Sequence, residues 1–219
     1  PGPALRVRQG DLVEVELVNQ DIAAGVSIHW HGVNVPNAED GVAGVTQDAV
    51  RPGGRHIYRF VATDAGTRWY HSHQQSSEQV RRGLFGALIV EPREAGSEQQ
   101  ADRELTVVAH GWPTANGVVE ALGVDDALVS EALPVGATVR LRLLNADDRI
   151  RSFALNGAPF RVVALDGNPL HEPGELRDAA VAIPGGGRAD LLFTMPDGPV
   201  RLGQLERPWL GYAFSPDGQ

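Results

Sequence analysis

The stretches VSIHWHG (26–32) and RWYHSH (68–73) decide how this chain is read. β-Branched and aromatic residues crowd both, which marks them as strands. Each carries a His-x-His triplet, His29/His31 and His71/His73. Residues i and i+2 of a strand leave from one face, roughly 7 Å apart. Each triplet therefore turns two imidazoles to one side, with Trp30 or Ser72 turned to the other. Laid side by side, the two strands bring four imidazoles to one small volume. Imidazole is only an intermediate core former, so packing does not ask for this arrangement. A metal does. Neutral nitrogen donors without thiolate or adjacent carboxylate suit copper, zinc or nickel, and disfavour calcium and magnesium. Two closely spaced pairs exceed what one tetrahedral zinc usually draws from adjacent strands, so a multinuclear site is expected.

Composition frames the rest. A chain of 219 residues is long enough for one large or two medium domains. Its 19 basic residues, all Arg, stand against 28 acidic ones, and the net charge of −9 argues against nucleic acid or an anionic membrane as partner. No apolar run reaches the roughly 18 residues of a spanning helix, and no signal peptide is read. The absence of cysteine excludes disulfides, thiolate zinc sites, cysteine nucleophiles and a blue-copper centre within this chain. With Pro1 first and Met195 the only methionine, a processed or excised piece of a longer protein is expected.

Taken in order, the chain reads as β. LRVRQGDLVEVELVN (5–19) alternates around a Gly10-Asp11 turn, and the first histidine strand leads into the polar loop NVPNAEDGVAGVTQ (34–47). RHIYRFVA (55–62) alternates again before the second histidine strand. SSEQVRRG (76–83) reads as a short helix with a Ser cap and Gly83 as its stop. LFGALIVEP (84–92) closes the unit as an apolar strand, and the charged, unpatterned REAGSEQQADR (93–103) is the expected domain boundary. This places one domain at 1–95 and a second at 104–219.

The second half repeats the first. LPVGATVRLRLLNAD (133–147) echoes LRVRQGDLVEVELVNQD (5–21), with Asn19 and Asn145 ending the paired strands. VAIPGGGRADLLFTMPDG (181–198) echoes AVRPGGRHIYRFVATDAG (49–66). SFALNG (152–157) falls where SIHWHG stood, with Ala154, Leu155 and Asn156 in place of His29, Trp30 and His31, and VRLGQ (200–204) falls about where WYHSH would. The second unit thus keeps the scaffold and loses the ligands. A duplicated all-β unit with short strands and frequent turns argues for two tandem Greek-key β-sandwiches.

IHWHG, the loop DGVAGVTQ, WYHSH and GLFGALIVEP resemble the first cupredoxin domain of a laccase-type multicopper oxidase, and the second half is similar to the middle domain of three-domain members. In that family four His-x-His motifs, two from the first domain and two from the last, hold a trinuclear copper cluster. The cluster reduces dioxygen to water with electrons from a mononuclear copper. The resemblance implies that His29 is a type 2 copper ligand, and that His31, His71 and His73 are type 3 ligands. It also implies that Asp40 assists proton delivery. The third cupredoxin domain has no counterpart in the chain, so half of the cluster would come from that domain or a neighbouring subunit. Dioxygen and a small reducing substrate are the implied reactants, and an extracytoplasmic location is implied. The alternative is a copper-binding or sequestering cupredoxin module without turnover. His56, His110 and His171 are read as structural or solvent-facing, Trp30 and Trp69 as packing behind the histidines, Met195 as core filler, and Arg81 and Arg82 as a solvated helix face.

Overall fold

The computed structural model describes residues 1–94, 101–123 and 125–218. The chain separates into two compact units, Pro1–Ser97 and Glu98–Gln219. The boundary expected at 93–103 falls largely on residues 95–100, outside the described residues. Among the described residues no helix is long and apolar enough to cross a membrane.

The first unit holds β1 (Leu5–Arg8), β2 (Leu12–Val18), β3 (His29–His31), β4 (Arg55–Val61), β5 (Gly66–His71), α1 (Ser76–Arg81) and β6 (Phe85–Glu91). One sheet runs β1-β6-β5-β3 and the other is the pair β2-β4. The two halves of the alternating stretch at 5–19 thus join different sheets. β1 pairs parallel with β6, β2 pairs antiparallel with β4, and Gly10, at φ +91°, turns the chain from one sheet into the other. The inward residues of both sheets meet in one core, Val13, Tyr58 and Phe60 from β2 and β4 against Trp30, Leu88 and Val90. Trp30 lies against Tyr58, Phe60 and Tyr70, at ring-centroid distances of 5.6, 4.8 and 6.0 Å. That layer fixes the back of the strand whose front carries His29 and His31.

The short helix forms where expected, with a different start. Ser76 already lies within its first turn, the cap position is Gln75, and no side chain caps it. Gly83, at φ +97°, ends it as the left-handed preference of glycine requires.

The second unit is built from β7 (Arg103–Thr114), β8 (Gly117–Leu122), β9 (Leu128–Ala132), β10 (Thr138–Asn145), β11 (Arg151–Asn156), β12 (Phe160–Leu165), β13 (Asn168–Pro169), β14 (Glu175–Leu176), β15 (Ala179–Ile183), β16 (Arg188–Thr194), β17 (Val200–Gln204) and β18 (Arg207–Ser215). One sheet runs β13-β12-β16-β10-β7-β8, with β14 also on β12, and faces the sheet β15-β11-β17-β18-β9 across a core that includes Leu141, Phe153, Leu191 and Phe214. The architecture is the all-β, cupredoxin-like pair of sandwiches expected above.

The internal repeat persists in its hydrogen bonds. Asn19 donates its amide to Val50 O (2.7 Å) and Ile22 O (3.0 Å), and its backbone bonds Gly53 and Gly54. Asn145 does the same with Ile183 O (2.9 Å) and Arg149 O, and with Gly186 and Gly187. In each unit one buried amide ties the end of a strand to a glycine turn, satisfying groups that burial would otherwise leave costly.

Candidate metal centre

β3 and β5 pair antiparallel in the register His29↔His71, Trp30↔Tyr70, His31↔Trp69. That rung sets two imidazoles opposite each other, and the i+2 rule adds His31 on the same face. Ring centroids are 5.2 Å apart for His29–His71, 5.8 Å for His29–His31 and 5.5 Å for His31–His71. One ring nitrogen from each of the three lies within 4.8 Å of the others. His73 stands at the rim of this group, its ring 5.3 Å from His29 and stacked 6.0 Å from His71. Its position differs from the other three because β5 ends at His71 and strand alternation no longer governs the residues after it.

Neighbouring carbonyls orient two of the rings. His29 Nδ1 lies 2.9 Å from the Asp40 carbonyl, and His71 Nδ1 lies 2.9 Å from the Ser72 carbonyl. A carbonyl only accepts, so both Nδ1 atoms carry the proton and both Nε2 atoms present a lone pair. This is the arrangement by which metal-binding histidines are held in one tautomer. His71 Nε2 faces His31 Nδ1 at 3.3 Å. With imidazole–metal bonds of about 2.0 Å, that spacing subtends roughly 110° at a shared ion, so the pair fits a single metal. His71 is 8% exposed, and burial, reinforced by the neighbouring histidines and opposed by the bond to Ser72, lowers its pKa to about 3. The ring is unprotonated at neutral pH, as a metal ligand must be.

Asp40 follows a short 3-10 turn at Asn37–Glu39, and its carboxylate Oδ1 lies 3.2 Å from the same His29 Nδ1. The loop reaches the strand because Gly41 adopts φ +71°, where a Cβ would collide with the Ile28 carbonyl. Tyr58, fully buried, anchors the strand start from behind, its hydroxyl accepting the Ile28 N–H at 2.8 Å.

Trp69 corrects the sequence reading. Trp30 does pack behind the histidines, but Trp69 lies among them, its ring 4.9 Å from His31 and 4.3 Å from His71. It precedes His71 by two residues, so the same alternation that aims His71 aims Trp69. That signal was present in the sequence.

The remaining histidines stand elsewhere. His56 packs on Tyr58, His110 is buried with Nε2 2.6 Å from Gly123 O, and the His171 side chain is 93% exposed. Met195 is buried in the second core, and Arg82 pairs with Glu78 on the exposed face of α1. Among the described residues, His29, His31 and His71 form the one group of three or more potential ligands. In the second unit, the rungs corresponding to His29↔His71 and His31↔Trp69 are Ala154↔Gly203 and Asn156↔Arg201, which carry no imidazole.

Residues 1–95 match the family model described as multicopper oxidase. An L-ascorbate oxidase of Cucumis sativus is 44% identical over 116 residues, covering 51% of this chain and 19% of that protein. Copper resistance protein A of Pseudomonas syringae pv. tomato is 40% identical over 112 residues, covering 51% of this chain and 18% of that protein. The chain thus matches less than a fifth of the length of these relatives. Among solved structures, the blue copper oxidase from Nitrosomonas europaea superposes with a TM-score of 0.86 at 27% identity, over 97% of this chain and 76% of that one. Copper is the metal of such oxidases, and the donor set found here suits it. Residues 1–95 thus carry the sequence signature of a multicopper oxidase domain, and over nearly its whole length the chain shares the fold of such oxidases.

Proposed function

We propose that His29, His31, His71 and His73 hold copper as this chain's half of a trinuclear cluster. The whole protein would couple one-electron oxidation of a small reducing substrate to reduction of dioxygen to water. The observation that carries the proposal is the convergence of three ring nitrogens within 4.8 Å. Two of those rings have their Nδ1 protons tied to backbone carbonyls. His31 and His71 would share one ion across their 3.3 Å gap, and His29 and His73 would be donors to the rest of the cluster. Bound there, copper would supply the one-electron steps that dioxygen reduction needs.

The chain's own residues do the rest. Ser72 and Asp40 carbonyls hold the two rings in their metal-facing tautomer. Trp69 walls one side of the histidine pair against water. The Asp40 side chain is 32% exposed and 3.2 Å from His29, so it is open to solvent and touches a ring that would hold the metal. It can take a proton from water at Oδ1 and release it toward the reacting oxygen, as a general acid placed beside a reaction does. The imidazoles come from β3, β5 and the two residues after β5, all on one side of the site, so ligand positions remain for donors of a third cupredoxin domain or a neighbouring chain. An extracytoplasmic setting follows from the same family reading.

The likeness to copper resistance protein A keeps a second role in view, copper holding without turnover. Adding copper(II) to the metal-free chain and recording its electron paramagnetic resonance tests the site. Nitrogen superhyperfine structure is expected, and its loss in His31→Ala/His71→Ala. Uptake unchanged by that double substitution would refute the assignment. Oxygen consumption by the complete protein separates oxidase from copper holder.

A further inference from the structure

We infer that Gln79, a residue with no assigned role, is a positioning residue that sets the spacing of the two histidine motifs. The inference rests on the copper reading of these motifs. β3 and β5 are joined by only three residue pairs, and the ladder stops at His29↔His71. Because the strands are antiparallel, the segment before His29 runs opposite the segment after His71, where no rungs remain to fix either one. Yet Ser72 and His73 lie in that unladdered segment.

Side-chain amides take over there. Gln79 is buried in α1 at 4% exposure, on a helix whose other buried residue is Val80. Its Oε1 accepts a hydrogen bond from Ser72 Oγ, and its Nε2 donates to Gly25 O at 2.9 Å. The backbone closes a ring around the first contact. Leu84 N–H donates to Gln79 O at 3.0 Å, and Ser72 N–H donates to Leu84 O at 2.9 Å. Gln74 adds a parallel tie, Nε2 to Ala24 O at 3.1 Å. Ser72 is thus held by its hydroxyl and its N–H while its carbonyl holds His71 Nδ1. Gly25, four residues before His29, is pinned by the same amide.

Packing alone would be served by an apolar side chain of this length. A primary amide is worth burying only where its donor and acceptor are both used, and here they link the two motifs. Removing it should let the Ser72 carbonyl drift, loosen the His71 ring and widen the gap between the strands.

The test compares the full chain with Gln79→Met, which keeps length and loses both bonds, and with Ser72→Ala, which removes one hydroxyl. Copper(II) affinity is read by chelator competition, the coordination by electron paramagnetic resonance, and the His71 tautomer in the metal-free chain by imidazole nitrogen shifts. Affinity should fall about 10–100-fold in Gln79→Met, the usual cost of losing a residue that orients a ligand. The copper hyperfine pattern should change, and the His71 Nδ1–H form should lose its dominance. Ser72→Ala should show the same effects more weakly, and it carries the test if Gln79→Met does not fold. Lowered thermal stability with unchanged affinity, spectrum and tautomer would reduce Gln79 to a structural residue and overturn the inference. If the unaltered chain takes up no copper through nitrogen, the copper reading fails, and the tautomer comparison alone decides for or against the clamp.

Discussion

Acidifying the metal-free chain should cost it stability, and the share carried by the imidazole of His71 can be worked out. Its pKa of about 3 lies well below the ordinary 6.5, chiefly because the ring is buried. Between those values the unfolded chain takes up a proton at this position and the folded chain does not. The stability this leaves intact above the window is therefore lost as pH falls through it. Each bound-proton difference is worth about 1.4 kcal/mol per pH unit. At pH 4 the loss from His71 is therefore about 3 kcal/mol, and it saturates below the folded pKa at on the order of 5 kcal/mol. Against the roughly 5–15 kcal/mol that holds a domain folded, this is a large share. Urea unfolding of metal-free protein from pH 7 to pH 4, beside His71→Gln, isolates the effect. The comparison is needed because His110, whose pKa burial also lowers, and Asp147 titrate as well. Burial pushes the Asp147 carboxyl up, but bonds from Asp148 N–H and Arg151 hold it well below the usual range in both proteins. The His71→Gln profile should be shallower by about 1.4 kcal/mol per pH unit within the window. Parallel profiles would refute the reasoning.

Three further outcomes are expected. Asp190, 1% exposed, accepts from Arg140 (2.7 Å) and Arg142 (3.0 Å), and Asp190→Ala should destabilise the second unit by about 3–5 kcal/mol in chemical unfolding, because two guanidinium groups lose a buried partner. Copper titrated into protein carrying alanine at His29, His31, His71 and His73 should find no remaining stoichiometric site, since the equivalent rungs of the second unit hold no imidazole. If the complete protein reduces dioxygen as proposed, Asp40→Asn in it should slow dioxygen consumption about 10²–10⁴-fold with copper content unchanged, and a full rate would leave Asp40 as a turn residue that orients His29.

The sequence by itself determined what depends on local period and on side-chain chemistry. Strand alternation aimed His29 with His31, the donor type pointed to a transition metal, and the echo of Asn19 in Asn145 exposed the duplication. The alternation also held the place of Trp69, which was read as background because an indole suggests packing before it suggests a site. Other features depend on pairing between distant segments, which no local pattern encodes. β1 and β2 read as one alternating stretch around a turn because alternation is blind to which sheet a strand joins, and only their partners β6 and β4 separate them. The 3.3 Å approach of His31 to His71 requires the one register in which His29 faces His71, and a one-residue slip would turn the second motif to the opposite face. Where that short ladder ends, the position of Ser72 passes to a hydrogen bond with Gln79 of the helix that follows, and Gln79 and Gln74 in turn bond the distant backbone at Gly25 and Ala24. Such contacts exist only once the chain has closed on itself.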